Sequence, residues 1–122
     1  MTEKHYFADT SFLIDLFNGE ERAVEIMRDA DSISTGTLVI YELSKISSFD
    51  RDKLENGRIK ELDSDDAIRA SELYRCLSEK GEKIGEIDYL IAAQSDNSDR
   101  KLVTRDKDFQ KLEIETLDYS LE

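Results

Sequence analysis

The amino-acid sequence predicts an α/β fold, a three-layer α/β/α sandwich around a parallel sheet of about four to five strands. Three observations support this prediction. The chain has 122 residues, which suits a single domain over residues 1–122. Short apolar segments alternate with helical patterns, and this order requires parallel strands whose connecting helices cover the faces of the sheet. No internal repeat, low-complexity tract or linker interrupts the alternation.

The first half of the chain contains the patterns of two strands and three helices. The predicted elements are a strand over 6–8, a helix from 10 or 11 to 17, a helix over 20–29, a strand over 32–35 and a helix from 37 to about 48. Thr10 or Ser11 is the expected N-cap of the first helix, and Thr37 that of the third. Asn18-Gly19 is expected to end the first helix.

The second half begins with a charged, weakly helical stretch over 50–60 and then resumes the alternation. The predicted elements are a short edge strand over 60–62, a helix from 64 to 80, a helix from 86 to about 95, a strand over 101–104, a helical turn over 108–112 and a strand over 113–117. The helix after Ser64, its expected N-cap, is amphipathic because Ala70, Leu73 and Leu77 recur at helical spacing. Gly81 is expected to end it.

The composition limits the possible functions. The chain has 29 acidic and 17 basic residues and a net charge of −12, which excludes binding nucleic acid with the whole surface and disfavours anionic membranes. Cleavage of a nucleic acid remains possible, because a bound divalent cation can supply positive charge. The single Cys76 and single His5 exclude an internal disulfide and a His-rich zinc site. No apolar run approaches the roughly 20 residues of a membrane span, so we expect a cytoplasmic protein.

Two aspartates follow predicted strands at the point where each strand ends. Asp9 comes directly after the strand over 6–8, and Asp106 lies two residues beyond the strand over 101–104. Because the carboxyl ends of parallel strands meet at one edge of a sheet, where such sheets bind ligands, we expect the two side chains to lie close together. An ordinary alternative is that Asp9 and Asp106, with Asp108, only cap the helices that follow.

Two further acids occupy helix positions that the apolar pattern assigns to the core. Glu42 lies one turn after Leu38 and one turn before Ile46, and Asp88 lies one turn after Ile84. A buried acid is costly unless it pairs with a cation or binds a metal. Pairing with Arg or Lys remains the alternative for each acid, but one shared cation would satisfy all four. Oxygen ligands without His or Cys favour Mg²⁺ or Mn²⁺ over Zn²⁺.

Four segments, in this order, resemble the PIN-domain ribonucleases, and specifically the VapC-type toxins of prokaryotic toxin–antitoxin pairs. They are Ala8-Asp9-Thr10-Ser11, Tyr41-Glu42-Leu43, Ile87-Asp88-Tyr89-Leu90-Ile91-Ala92-Ala93 and Leu102-Val103-Thr104-Arg105-Asp106-Lys107-Asp108-Phe109. The resemblance extends from about residue 6 to about residue 118. Together the segments are more specific for the domain than for the toxin role, because PIN domains also serve in RNA processing and quality control.

The resemblance implies a parallel, Rossmann-like sheet, often in a homodimer, and metal-dependent cleavage of RNA. It implies that a metal-binding quartet of acids holds one or two Mg²⁺ or Mn²⁺ ions, that an auxiliary acid assists, and that two polar side chains line the pocket. The implied quartet is Asp9, Glu42, Asp88 and Asp106, the auxiliary catalytic acid is Asp108, and the polar residues are Ser11 and Thr104. Toxins of this type pair with an antitoxin whose C-terminal segment covers the pocket.

The mechanism expected from these residues is attack by a metal-activated water on an RNA phosphodiester, with Asp88 or Asp108 accepting the proton. Arg105, Lys107 and Lys45 are the candidates for binding the RNA, with ordinary surface charge as their alternative. Three other functions remain open. They are an RNA-processing PIN nuclease outside toxin–antitoxin systems, a non-catalytic PIN-like scaffold, and a phosphatase-like hydrolase with Asp9 as nucleophile.

Overall fold

A computed structural model describes residues 3–54 and 57–121 of the chain. It contains five strands: β1 (His5–Ala8), β2 (Ser32–Gly36), β3 (Arg58–Lys60), β4 (Lys101–Thr104) and β5 (Thr116–Asp118). The α-helices are α1 (Thr10–Phe17), α2 (Glu21–Asp29), α3 (Thr37–Ser44), α4 (Ser64–Glu79) and α5 (Glu86–Asn97). Short 3₁₀ turns cover Arg51–Leu54, Lys107–Lys111 and Tyr119–Leu121.

The five strands form one parallel sheet in the order β3-β2-β1-β4-β5. The chain moves outward from β1 to β3 and then crosses back to β4, so right-handed connections place α4 and α5 on the opposite face from α1 and α2. The central strands carry the core, since Phe7, Leu102 and Val103 are fully buried. The structure confirms the predicted α/β/α sandwich. None of the helices in the described residues has the length and apolar character needed to cross a membrane.

The helix starts differ from the sequence-based assignments by one residue. Asp9, not Thr10 or Ser11, is the N-cap of α1 and accepts a hydrogen bond from the N–H of Phe12. Asp63, not Ser64, caps α4 through reciprocal hydrogen bonds with Asp66. A carboxylate one position earlier reaches the free N–H groups of the first turn, so the hydroxyl residue becomes the first helical residue. The N-cap of α3 is Gly36, so Thr37 is likewise inside the helix.

Three predicted element bounds were wrong for related reasons. Helix α3 ends at Ser44, not near residue 48, and only Val39 and Leu43 of this helix are buried. Residues 44–48 are exposed and give a longer helix nothing to bury. The edge strand covers 58–60, where it pairs with β2, and the last strand covers 116–118, where it pairs with β4. Pairing with a neighbouring strand sets both bounds, and the chain segment alone does not contain that information.

A residue in a strained backbone conformation follows the end of helix α5. Asp99 has a φ of 55°, the left-handed conformation that glycine usually occupies after a helix, and the last turn of α5 contains no basic residue. We expect Asp99→Gly to raise the free energy of unfolding by about 1 kcal/mol, because it removes the backbone strain and an acid at the negative end of the helix dipole.

Chemical denaturation of the wild type and the variant measures this change. Ser98→Gly is the matched control, because Ser98 has an ordinary φ of −87° and glycine there should not stabilise the chain. Equal effects of the two substitutions would contradict the explanation.

Candidate metal centre

Strands β1 and β4 end side by side at the carboxyl edge of the sheet. Ala8 is in register with Val103, and the N–H of Asp9 donates to the carbonyl of Val103 at 3.3 Å. The chain leaves both strands at this edge, where Asp9 begins α1 and Thr104 leads into a turn with Asp106. The pairing of two parallel strands therefore brings together two segments that lie almost one hundred residues apart.

Asp9 is held rigidly at this edge. Its side chain is buried and accepts hydrogen bonds from the Ser11 hydroxyl at 2.8 Å and the Thr104 hydroxyl at 2.5 Å, besides the N–H of Phe12. Burial raises the pKa of Asp9 to about 6, against the opposing effect of these hydrogen bonds, and the nearby Asp106 adds to the increase. Asp9 thus has a fixed orientation and an environment that disfavours its negative charge.

Asp106 and Asp108 lie in the turn that follows β4. The N–H of Asp106 donates to the Thr104 hydroxyl at 2.9 Å, and Asp106 Oδ1 accepts from the N–H of Asp108 at 3.0 Å. Thr104 therefore donates to Asp9 and accepts from the backbone of Asp106. One buried hydroxyl group connects the two acidic segments and sets their distance.

Asp88 projects from the first turn of α5 towards the same turn. Oxygen atoms of Asp88, Asp106 and Asp108 lie within 4.8 Å of one another. The pKa of Asp88 is raised to about 7, first by burial and then by the negative charges of Asp106, Glu42, Asp108 and Asp9, in that order. The other four acids that the sequence singles out are therefore close enough to act on Asp88.

Glu42 comes from α3 and accepts a hydrogen bond from the Thr10 hydroxyl at 2.5 Å. The core-facing residues of α3 are Val39 and Leu43, so Glu42 lies beside the buried stripe and not on it. The argument that singled out Glu42 was partly wrong, because the helix ends at Ser44, before Ile46 could extend the stripe. Glu42 and Asp9 lie outside the tight group formed by Asp88, Asp106 and Asp108.

Pairing with Arg or Lys does not account for these acids. Within residues 3–54 and 57–121, four of the acids take part in no salt bridge: Asp9, Glu42, Asp88 and Asp106. The fifth, Asp108, has only a 3.6 Å contact to Lys111. Asp66 shows the contrasting case, since it is fully buried and its carboxylate contacts Lys60 Nζ at 2.7 Å. The sheet edge thus gathers like charges without the cation that a structural pair would supply.

The residues at this edge fit a hard divalent cation. The available ligands are carboxylate oxygens, with no sulfur or imidazole group among the acids that converge, and such sets bind Mg²⁺ or Mn²⁺. Asp88, Asp106 and Asp108 are already within 4.8 Å, whereas Asp9 and Glu42 flank them. A cation here would remove the repulsion that raises the pKa of Asp88.

The three candidate RNA-binding cations differ in their surroundings. The Arg105 guanidinium contacts Asp15 at 2.7 Å, whereas its backbone N–H donates to the Ser11 hydroxyl at 3.2 Å. Lys107 lies 3.5 Å from Asp118, and Lys45 lies over the ring of Tyr41 at 4.5 Å. Lys107 and Lys45 are exposed, and neither contacts the converging acids in the described structure.

Sequence reasoning missed three residues near the centre. They are Thr10, which binds Glu42, and the pair Asp15 and Tyr119, which are joined by a 2.6 Å hydrogen bond. Asp15 had a signal, since it lies one helical turn after Ser11. Tyr119 had none, because only the packing of the C-terminal turn against α1 brings it here.

Comparison with known proteins identifies the family. The family model described as PIN domain matches residues 6–115. The chain therefore belongs to the PIN-domain family. A comparison with curated proteins finds no match.

Solved structures of toxin–antitoxin complexes contain chains with this fold. One, from DNA-bound VapBC of Salmonella typhimurium, is 17% identical, has a TM-score of 0.80 and covers 95% of this chain and 98% of that chain. VapBC-1 of nontypeable Haemophilus influenzae contains a chain with 19% identity and a TM-score of 0.79, covering 95% and 98%. The toxin–antitoxin complex of Klebsiella pneumoniae contains a chain with 23% identity and a TM-score of 0.71, and the match covers 85% of this chain and 89% of that chain. At these identities the similarity establishes the fold.

The charge repulsion at the sheet edge predicts a pH-dependent stability. Folding raises the pKa of Asp88 from 3.8 to about 7, so its contribution to stability is complete below about pH 4 and is lost as the pH rises towards 7. We expect metal-free Asp88→Asn to be more stable than the wild type by roughly 1–2 kcal/mol near pH 8, after allowance for solvent screening, and to lose this advantage near pH 4.

Urea denaturation at several pH values, in the presence of a chelator, measures the difference. Glu86→Gln is the matched control, because Glu86 is exposed in the same first turn of α5 and its substitution should give a difference nearly independent of pH. A pH-independent difference for Asp88→Asn would show that repulsion at Asp88 is not significant.

Proposed function

We propose that this PIN-domain protein is a metal-dependent endoribonuclease and the toxin component of a toxin–antitoxin pair. One observation carries the nuclease proposal: oxygen atoms of Asp88, Asp106 and Asp108 converge within 4.8 Å, and no cationic side chain among the described residues compensates the charges of Asp88 and Asp106. Such an arrangement destabilises the metal-free fold, and unfavourable arrangements of this kind are typical of functional sites. A divalent cation and a phosphodiester satisfy the requirement together.

We infer that Asp9, Glu42, Asp88 and Asp106 hold one or two Mg²⁺ or Mn²⁺ ions, with Asp108 as auxiliary acid. When bound, the metal supplies an activated water and stabilises the charge that develops on the phosphoryl oxygens. Asp9 and Glu42 flank the tight group and add their negative charges to those that act on Asp88.

The chain itself supplies orientation and a proton acceptor. The Ser11 and Thr104 hydroxyls fix the carboxylate of Asp9, so the site is ordered before substrate arrives. Asp88 and Asp108 remain accessible to solvent, and we assign acceptance of the water proton to one of them. No histidine is needed for this step.

The acidic surface influences how RNA would bind. A net charge of −12 repels phosphates outside the centre, so we expect weak RNA affinity that depends strongly on salt and on the metal. We propose RNA as the substrate, and not another phosphodiester, because of the family resemblance. An RNA-processing nuclease outside toxin–antitoxin systems remains the second candidate function.

The toxin role rests on the structures of similar fold. Those structures are of VapBC and toxin–antitoxin complexes, and we propose a partner of the same kind for this chain. An acidic protein is a natural partner for a basic peptide segment, so we propose a cognate antitoxin with a basic segment that covers the centre. We also propose a homodimer in the cytoplasm, following the same resemblance.

Two alternatives are less well supported. A phosphatase-like mechanism with Asp9 as nucleophile would prefer a second aspartate two positions further on, and that position holds Ser11. A non-catalytic scaffold would need Asp9 and Asp106 as helix caps, but capping gives no reason for the charges of Asp88 and Glu42 at the same edge.

Removal of single carboxylates tests the nuclease. We expect Asp9→Asn and Asp88→Asn each to lower the rate of RNA cleavage in Mn²⁺ by at least about 100-fold, because each removes a ligand charge while preserving side-chain size. Cleavage of a structured RNA by purified protein measures the rate, and an excess of EDTA should abolish it.

Glu86→Gln is the control for charge change in the same helix turn and should cleave at the wild-type rate. Cleavage at the wild-type rate by either carboxylate variant, or cleavage that persists in EDTA, would refute the metal-site assignment.

Expression in bacteria tests the toxin role separately. We expect the wild-type chain to arrest growth, Asp88→Asn to leave growth unaffected, and co-expression of the small reading frame adjacent to its gene to restore growth. A nuclease that is active in vitro without arresting growth would favour the RNA-processing alternative.

A further inference from the structure

Arg105 lies in the turn between Thr104 and Asp106, and its guanidinium binds the side chain of Asp15. Arg105 Nε donates to Asp15 Oδ2 at 2.7 Å, and Nη2 donates to Asp15 Oδ1 at 3.3 Å. This bidentate contact fixes the orientation of the arginine more strictly than a single hydrogen bond would. An arginine that bound RNA phosphates would need these same donors.

Asp15 gives this contact its strength. Its side chain is only 16% exposed and also accepts a hydrogen bond from the Tyr119 hydroxyl at 2.6 Å. Although burial raises the pKa of Asp15, the hydrogen bonds from Arg105 and Tyr119 lower it below its ordinary value. The carboxylate is therefore charged in the fold, and loss of Arg105 would leave it poorly compensated.

Helix α1 holds Arg105 at two points that are one turn apart. The backbone N–H of Arg105 donates to the Ser11 hydroxyl at 3.2 Å, and the side chain binds Asp15. Ser11 and Asp15 share one face of the helix, and Ser11 also donates to Asp9. Arg105 is thus attached to helix α1, whose N-cap is Asp9.

Tyr119 secures the outer end of this arrangement. Its ring is 5% exposed and packs edge-on against the fully buried Phe12, with ring centroids 5.7 Å apart. The C-terminal turn therefore binds the same carboxylate oxygen of Asp15 that accepts the hydrogen bond from Arg105 Nε. A continuous set of hydrogen bonds runs from Tyr119 through Asp15 and Arg105 to Ser11 and the converging acids.

We propose that Arg105 and Asp15 form a positioning pair that fixes the turn over 104–108 on α1 and keeps Asp106 and Asp108 at their distance from Asp88, and that Arg105 is not a ligand of RNA phosphates. The consequence for catalysis rests on the proposed nuclease function. The structural consequence does not, because it concerns the metal-free chain.

The first experiment needs neither metal nor activity. Amide hydrogen exchange of the metal-free chain, followed by NMR, reports on the N–H groups of Asp106 and Asp108, which bind Thr104 and Asp106. We expect Arg105→Gln and Asp15→Asn to accelerate exchange at both amides by about tenfold or more. Arg75→Gln, which removes one exposed arginine from α4, should leave both rates unchanged.

The second experiment separates positioning from RNA binding. If the pair positions the acids, both variants weaken Mn²⁺ binding about tenfold in calorimetry, lower kcat and leave KM nearly unchanged. The double variant is then no worse than the more severe single variant, because both substitutions break the same contact. Arg105→Lys should restore only part of the loss, since lysine cannot make the bidentate contact.

An RNA-binding arginine would give a different pattern. Arg105→Gln would raise KM and reduce the salt dependence of RNA binding, whereas Asp15→Asn would release the guanidinium and lower KM. That pattern, or unchanged exchange at Asp106 and Asp108 in both variants, would overturn the proposal. If the wild type cleaves no RNA, the proposed nuclease fails, and amide exchange still decides whether the pair positions the turn.

Discussion

Electrostatic repulsion at the carboxyl edge of the sheet is the constraint on which the rest of this structure depends. Asp88, Asp106 and Asp108 bring oxygen atoms within 4.8 Å, and Glu42 and Asp9 add further negative charge at Asp88. Hydrophobic burial does not favour this arrangement, and like charges oppose it. The fold must therefore hold the acids in place by other means, and a divalent cation is the simplest species that turns the repulsion into attraction.

The acids are held in place by hydrogen bonds at the ends of the helices and strands. The capping positions of α1 and of the turn after β4 place Asp9 and Asp106, so the ordinary capping explanation holds for both and is compatible with the proposed function. Thr104 then joins the two segments through a single hydroxyl group. The same carboxylates thus stabilise helix starts, which a metal-free protein needs, and form the centre at which the family's chemistry is expected.

Most of the fold was predictable because it depends on local pattern. The alternation of short apolar segments with helices predicted the parallel sheet, and the polar residues after β1 and β4 indicated the edge at which the acids converge. The errors lie where a neighbour decides the outcome: β3 and β5 take their bounds from pairing partners, and α3 ends where burial ends. Glu42 was selected because of its spacing from Ile46, although Ile46 lies beyond the helix and is 40% exposed.

The sequence by itself determined the family, the sheet and the identity of the converging acids, because residue type and spacing along each element specify which side chains leave the sheet at its carboxyl edge. Only the tertiary structure decided how those acids are arranged. It separated Asp88, Asp106 and Asp108, which form a tight group, from the flanking Asp9 and Glu42, and it bound Arg105 to Asp15. The physical reason is that such contacts join residues up to about one hundred positions apart, and no local pattern records which partner a charged side chain will meet.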